Sequence, residues 1–531
     1  MKINEILSGS APTFLKDYGI LTQSFLGQLV DSADELESIQ SSEDFKAEGQ
    51  LINDTIAFIE KAKHSNAKIM ICGDYDCDGI TSTAMLIHLL EKMGFTLEED
   101  IGYYIPNRLK EGYGVSVKTV EAAIVKGYTH FILIDNGVKA YDAIEVIQKH
   151  GASLLVMDHH TIEQPLSHGL LYHPDLLDPY FESLCSAGLV YVLANAMSLV
   201  DDFMLILGAI GTIGDMMPLR KQNRILVKKG LQVLNSRPPK VISSLLKRKP
   251  VAYDETLISF QIVPVFNAVG RLSDVANVNQ VVKYLLLNDE SSIQLFAKSM
   301  LDLNETRKKL SKEMGNEASL LITEHPFQVI YQENFHEGLV GIIAGQIARA
   351  TSKPTLVLTQ NGTQIKGSAR SQHFDVYAFL SRFSDFYDSF GGHRQACALS
   401  LPLENFSRFR DSVNEHMREV VLEEPSMDAL VIEPEAFTVS GYQELMAFAP
   451  FGIGFEMMDI VLDVKIISEI PLKQSGIKWK IEPIGEIHEV VYFGANHTFL
   501  MGMDGFRVVG KLQKGYRDGL TLNAGYIDSI I

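Results

Sequence analysis

Cysteine is scarce in this chain: its 531 residues include four, at Cys72, Cys77, Cys185 and Cys397, and no two form a CxxC pair. That spacing excludes a zinc knuckle and offers no disulfide framework; four reduced thiols in a cytoplasmic protein are the expectation. Long apolar runs are lacking too. The most apolar stretch, Leu184 to Gly214, is broken by Asp201 and Asp202. Neither half reaches the ~20 residues that cross a bilayer, so two buried helices are predicted there and no membrane span. Met1 to Phe14 shows none of the basic and apolar pattern of a secretory signal. Positive charge is in deficit: 47 Lys and Arg stand against 66 Asp and Glu, a net charge of −19. Proteins that bind nucleic acid over their whole surface are usually basic, so this balance argues against that class. A local groove is still open, because residues 220 to 250 carry ten Lys or Arg and no Asp or Glu. That run reads equally well as a solvated helical face. The sequence also lacks internal repeats and low-complexity tracts.

What is present is a globular composition, 46% hydrophobic and 21% charged, enough to build large cores over about three domains. Between residues 67 and 160 short apolar runs alternate with helical periodicity. AKIMICG (67–73), IGYYI (101–105), HFILID (130–135) and SLLVMD (153–158) read as strands. The segments 80–93, 115–126 and 140–150 between them read as helices. This is the pattern of βαβ units and a parallel sheet buried on both faces. Helical patterns dominate from about 186 to 285. Residues 289–323 then read as one connector helix, roughly 50 Å long at about 1.5 Å per residue. A second α/β pattern follows over 324–425, with strands at 328–332, 355–359 and 364–370, a helix near 340–350, and an end at Glu423 to Pro425. From 426 to 531 short strands recur with turn residues, as in a small β-barrel. The predicted fold is therefore α/β: a first domain over 1–288, a connector helix over 289–323, a second α/β domain, and a C-terminal OB-like barrel.

Open α/β sheets bind ligands just beyond the C-terminal ends of their strands, and the chemistry-bearing residues cluster there. GDYDCDG places Asp74, Asp76 and Asp78 after the first strand. Asp135 ends the third strand, Asp158, His159 and His160 end the fourth, and GTIGD puts Asp215 at the end of an apolar run. A single Asp after a strand is most often a cap or a turn residue. Three carboxylates within five residues repel one another unless a cation sits among them. Hard oxygen donors with an imidazole suit Mn²⁺ or Mg²⁺, and a two-metal clamp suits phosphoryl transfer.

Taken in order, GDYDCDG, the Asp135 strand end, the DHH triplet at 158–160 and the GD at 214–215 resemble the four motifs of the DHH phosphoesterases. The similarity extends over nearly the whole chain to the branch of that superfamily that degrades single-stranded DNA from its 5′ end. The resemblance implies two Mn²⁺ or Mg²⁺ ions, with Asp76 and Asp78 each binding one and Asp135 bridging them. His159 and Asp215 would complete the second site, and His160 would face the substrate as general acid or transition-state contact. Asp74 and Asp158 would orient ligands from behind. Many superfamily members carry a histidine four residues before the first metal-binding Asp; here that place is Cys72, which leaves the first ion to weaker ligands or water.

Farther along, HEGLVGIIAGQIA (336–348), GSARS (367–371) and GGHRQACAL (391–399) are similar to the DHH-associated domain, which closes over substrate in the family. Paired glycines let backbone approach phosphate closely. By the same resemblance Arg108 of IPNR, Arg271 of NAVGR, Arg370 and Ser371 form a pocket for a 5′ phosphate, with Gly391, Gly392 and His393 beside the substrate; a guanidinium suits that anion. APFGIGFE (449–456) partly matches the loop of the family's OB-type domain, and Phe451, Phe455 and Tyr492 are candidates either for base stacking or for core. The function implied is metal-dependent hydrolysis of single-stranded DNA, 5′ to 3′, to 5′ mononucleotides, in repair and recombination. A cytoplasmic monomer is expected, with a single-strand-binding protein and a helicase as partners implied by the family alone. The rival readings are a phosphodiesterase for short oligonucleotides or cyclic dinucleotides, and a replication scaffold that has lost its metals. The long connector, the two arginine motifs and the OB-like tail favour a polymeric substrate, and the complete ligand set disfavours the scaffold.

Overall fold

The computed structural model describes residues 2–530 apart from 8, 10, 423–425, 473–475, 494–501 and 516–518. The expected boundary at Glu423 to Pro425 lies outside the described residues. The chain forms two compact units, one of residues 45–217 and 229–423, the other of 1–44, 218–228 and 424–531.

In the first unit a five-stranded sheet is made by β1 (Ile69–Cys72), β2 (Ile101–Tyr104), β3 (His130–Ile134), β4 (Ser153–Met157) and β5 (Leu170–Tyr172), in the order β2-β1-β3-β4-β5. Every neighbouring pair is parallel. β1 and β3 are wholly buried, which is why they read as unbroken apolar runs rather than alternating ones. Helices α1 (Cys77–Lys92), α2 (Val117–Val125) and α3 (Tyr141–Lys149) cross between the strands. The order reverses between β1 and β3, and such a switch point opens a crevice at the strand C-termini. The apolar stretch near 184–214 forms α4 (Ser186–Ala196) and α5 (Asp202–Gly214), both almost entirely buried. No helix among the described residues is long and apolar enough to cross a membrane.

A π-helical turn, Ile258–Ile262, leads into α6 (Val263–Arg271). Pro264 lacks the N–H that a regular ladder would need at this junction. The connector is α7 (Glu290–Ser319), 30 residues capped by Asp289, about 45 Å at ~1.5 Å per residue. Beyond it a second sheet contains β6 (Gln328–Tyr331), β7 (Thr355–Asn361), β8 (Gln364–Arg370), β9 (Ser389–His393) and β10 (Ala396–Pro402), with α8 (Val340–Thr351) following β6. The order is β9-β10-β8-β7-β6, and among these pairs only β6–β7 is parallel.

The second unit is built on a barrel of β11 (Asp459–Leu472), β12 (Gly476–Ile484), β13 (Ile487–Phe493), β14 (Gly505–Lys514) and β15 (Leu520–Ile530), closed by the β11–β14 pairing. This is a five-stranded OB-type barrel. Its core includes Trp479, Phe506 and Val508, together with Leu15, Phe25 and Leu26 from the N-terminal helices. Residues 1–44 therefore belong with the barrel, not with the first domain where the sequence reading put them.

The two alternatives for Phe451 and Phe455 resolve here. They are 7% and 0% exposed, stack on each other with ring centroids 5.4 Å apart, and lie under the guanidinium of Arg224, 4.4 Å from the Phe455 ring centre. Arg224 is itself 1% exposed and donates to the carbonyls of Ile39 (2.9 Å), Pro450 (2.8 Å) and Phe448. APFGIGFE is thus an internal staple, with no ring left to stack a base; Tyr492 is partly buried against the same core. Six of the ten cations in the basic run 220–250 are engaged by acidic side chains or backbone carbonyls. Arg220, Arg224 and Lys228 bond Glu35 and backbone carbonyls inside this unit, while Arg237, Lys240 and Lys247 pair with Asp202, Glu290 and Glu305.

Candidate metal centre and anion pocket

The loop after β1 turns directly into α1, and its carboxylates are placed by that turn. Asp76 is the N-cap, its Oδ1 accepting the N–H groups of Asp78 (3.0 Å) and Gly79 (3.1 Å). Only glycine fits at 79, because a Cβ there would overlap the Asp74 backbone. Asp78, 1% exposed, points to the start of α4, where Ser186 N (2.7 Å) and Ala187 N (2.9 Å) each donate to one of its oxygens. Two N–H groups at a helix N-terminus hold an anion well. Asp135 sits at φ 61°, a left-handed conformation that Asp and Asn tolerate better than most residues. Its Oδ1 accepts from Ser186 Oγ at 3.1 Å and lies 3.2 Å from His159 Nε2. His159 Nε2 also lies 3.4 Å from Asp215 Oδ2. Asp215 caps the C-terminal end of α5.

Ligand atoms of Asp74, Asp76 and Asp135 lie within 4.8 Å of one another, as do those of Asp78, His159 and Asp215, and those of Asp135, His159 and His160. Asp135 thus joins the first set to the histidines. Burial first, and the charge of neighbouring carboxylates second, push Asp74 and Asp135 well above the usual carboxylate range and Asp215 up to about 9. Asp74 Oδ1 and Asp215 Oδ2 are buried and accept no hydrogen bond among the described residues. Crowded carboxylates with orphaned oxygens, next to one imidazole, fit divalent cations that prefer oxygen donors.

Two readings change. Asp74, expected to orient ligands from behind, places a carboxylate oxygen within 4.8 Å of ligand atoms of Asp76 and Asp135. Cys72 is withdrawn from the site: its side chain packs in an apolar cluster with Val120 and Leu133, and burial lifts its thiol to about 12. With Asp74 in place, the ligand set does not need that position.

Behind the cluster, Asp158 is fully buried and collects four donors. Its Oδ1 accepts His159 N (2.8 Å), His160 N (3.2 Å) and His160 Nδ1 (2.8 Å), and its Oδ2 accepts Val138 N (3.0 Å). Burial opposes the His160 cation, but the Asp158 hydrogen bond and charge outweigh it and raise the His160 pKa. His173 Nε2 bonds the His160 carbonyl at 2.9 Å. The sequence reading missed Ser186 and Tyr113. Tyr113 hydroxyl donates to the Asp135 carbonyl at 3.0 Å and lies 3.3 Å from the His160 ring nitrogens. Neither sits at a strand end, so neither carried a signal.

Arginines gather beside this cluster. Arg108 lies over the Tyr75 ring, 4.9 Å from its centre. Arg271 ends α6, whose Gly270 abuts the Tyr75 carbonyl and whose Arg271 carbonyl abuts Gly338. Arg370 ends β8 with Nη1 on the Ala369 carbonyl (2.8 Å) and Nη2 against Gly341 at the start of α8. Burial, followed by the like charges of Arg108, Arg307 and Arg370, brings Arg271 down to about 9. Arginine ion pairs elsewhere involve Arg220, Arg237, Arg410 and Arg507; none among the described residues involves Arg108, Arg271, Arg307 or Arg370. Ser371 Oγ accepts Phe374 N at 3.0 Å, which leaves its hydroxyl proton free to donate. On β9, Gly391 and His393 are exposed, and Gly392 has φ 143° with no room for a Cβ. His393 lies in the field of His160 and Lys139; burial first, then these charges, lower its pKa.

The DHH family, N-terminal domain, matches residues 68–212, and the DHHA1 domain matches residues 324–419. The single-stranded-DNA-specific exonuclease RecJ of Bacillus subtilis is 30% identical over 432 residues, which cover 78% of this chain and 54% of that protein, so the chain spans about half the length of this relative. RecJ of Haemophilus influenzae is 29% identical over 490 residues, 84% of each chain. The crystal structure of RecJ from Thermus thermophilus in complex with Mn²⁺ superposes with a TM-score of 0.83 at 21% identity, covering 99% of this chain and 80% of that one. The chain carries a DHH N-terminal domain and a DHHA1 domain, and the relatives it is similar to are RecJ exonucleases.

Proposed function

We propose that the protein is a metal-dependent exonuclease that degrades single-stranded DNA from its 5′ end; its relatives are named single-stranded-DNA-specific exonucleases. The observation that carries the reading is the pairing, in one unit, of a cation-demanding carboxylate cluster with Arg108, Arg271 and Arg370, which form no ion pair among the described residues. The first demands positive charge and the second negative charge, and a strand bearing a terminal phosphate supplies the second.

Asp74, Asp76 and Asp135 would hold one Mn²⁺ or Mg²⁺, and Asp78, Asp135, His159 and Asp215 the other. Bound there, the pair would supply Lewis-acid stabilisation of phosphoryl oxygens and a water acidified to near-neutral pH. Arg108, Arg271, Arg370 and Ser371 anchor the 5′ phosphate, so that only the first internucleotide linkage reaches the carboxylate cluster; polarity follows from that anchor. Asp158 raises the His160 pKa and aims the ring, and the imidazolium form donates its Nε2 proton to charge developing on the phosphoryl group or the departing 3′ oxygen. His393, on the paired-glycine turn, approaches the same phosphates from the second sheet. Single strands, a single-strand-binding protein and a helicase belong to this reading as partners, the last two through the family alone.

The test is hydrolysis of a long single strand, the same strand as a duplex, and a dinucleotide, each with Mn²⁺. Rapid loss of the single strand with the duplex spared supports the reading. Turnover of the dinucleotide alone moves the assignment to a small-substrate phosphodiesterase.

A further inference from the structure

The first turn of α4 holds two carboxylates that come from distant parts of the chain. Ser186 and Ala187, which open the helix, are fully buried. Their N–H groups take Asp78, one on each oxygen, at 2.7 and 2.9 Å, as the unpaired donors of a helix start can. The Ser186 side chain adds a contact of a different kind. Its Oγ lies 3.1 Å from Asp135 Oδ1 and has no other partner among the described residues. One residue therefore holds Asp78, of the set with His159 and Asp215, by its main chain, and Asp135 by its side chain. The turn itself is closely seated. A Cβ at Gly211 of α5 would fall 2.6 Å from the Ala187 Cβ and 3.0 Å from Asp78 Oδ1, so the missing side chain at 211 lets α4 and α5 close on that carboxylate.

The left-handed backbone of Asp135, φ 61°, fixes where its side chain starts but not the plane of its oxygens. The terminal torsion of a carboxylate is broad and soft. An Asp135 that ligates a cation is ionised and can only accept hydrogen bonds, so the Ser186 hydroxyl then donates. That bond pins Oδ1 and leaves Oδ2, with the second lone pair of Oδ1, for ligation.

We propose that Ser186 is a positioning residue of the metal centre: its hydroxyl sets the plane of the Asp135 carboxylate, and with it the affinity for divalent cations, while its N–H secures Asp78 independently. The inference rests on the reading of Asp135 as the ligand shared by two ions.

The experiment titrates Mn²⁺ into the metal-free full chain, following free Mn²⁺ by electron paramagnetic resonance, for wild type, Ser186→Ala and Ser186→Thr. Each protein is also melted in EDTA. Ser186→Ala keeps the N–H donated to Asp78 and loses only the hydroxyl. Its Mn²⁺ dissociation constant rises about 10–100-fold, the usual cost of removing a group that orients a ligand from behind. Ser186→Thr, which returns a hydroxyl, recovers most of that loss. A hydroxyl with a purely structural role lowers the EDTA melting temperature of Ser186→Ala and leaves its Mn²⁺ dissociation constant unchanged, which overturns the proposal. A Ser186→Thr that melts like wild type in EDTA but binds Mn²⁺ as weakly as Ser186→Ala overturns it too. A wild type that binds no Mn²⁺ defeats the metal-centre reading itself, and this inference falls with it; a wild type that binds Mn²⁺ and an alanine variant that matches it defeat this inference alone.

Discussion

Replacing Asp135 by Asn separates what the carboxylate cluster costs from what it does. Asn suits the φ of 61° at this position, whereas Ala would add backbone strain. Asn keeps an Oδ1 to accept from Ser186 Oγ, now at 3.1 Å, and gains an amide that can donate to a neighbouring carboxylate. The substitution removes one of several acids, Asp74, Asp135 and Asp215, whose pKa values are raised by burial first and by the charge of neighbouring carboxylates second. Each unit of such a shift is worth ~1.4 kcal/mol, and with relaxation of the site a gain of about 1–3 kcal/mol is expected for the metal-free protein. At roughly 2–4 °C per kcal/mol for a unit of this size, the melting temperature in EDTA rises by several degrees. On the proposed assignment the same change removes the carboxylate shared by the two ions, so the stabilisation that wild type gains from Mn²⁺ largely disappears and hydrolysis falls at least ~10³-fold. Thermal melts with EDTA and with Mn²⁺, alongside single-strand degradation, read all three quantities. A variant that melts lower than wild type in EDTA, or that keeps its hydrolysis, refutes the assignment of Asp135 as the shared ligand.

Further outcomes follow from the same geometry. The raised carboxylates bind protons in the folded metal-free protein that they release on unfolding, so its stability falls as pH rises from the ordinary carboxylate range toward about 9, the value reached by Asp215; melts in EDTA across that range check the sign, and a flat or rising curve contradicts it. Asp158→Asn takes away the charge and hydrogen bond that raise the His160 pKa, so the alkaline limb of the kcat profile moves to lower pH and kcat drops by ~10²-fold; an unshifted limb removes His160 from the acid role. Arg224→Met strands the carbonyls of Ile39, Phe448 and Pro450 and costs about 3–5 kcal/mol, measurable by urea unfolding; a loss below ~1 kcal/mol argues against the staple.

The strand-end carboxylates were legible because a doubly covered parallel sheet writes its strands as plain apolar runs, so a polar residue at a run's end stands out, as at Asp74 to Asp78, Asp135 and Asp158 to His160. The role of Asp74 was not legible: its oxygen reaches Asp76 and Asp135 only because the turn into α1 is tight enough to need Gly79. Ser186 and Tyr113 act across distances of 51 and 22 residues along the chain, and no local pattern reports such contacts. The joining of residues 1–44 to the barrel has the same cause, since Phe25 meets its core partners hundreds of positions away. Phe451 and Phe455 look alike as stacking or as core residues in sequence; burial beneath Arg224 decides between them.

The central claim is tested most directly by incubating the protein with Mn²⁺ and a long 5′-phosphorylated single strand labelled internally at its first linkage or at its last. The account predicts mononucleotide released early from the 5′-proximal label, with the 3′-proximal label released last. Early release from the 3′-proximal label, or from both at once, would contradict it.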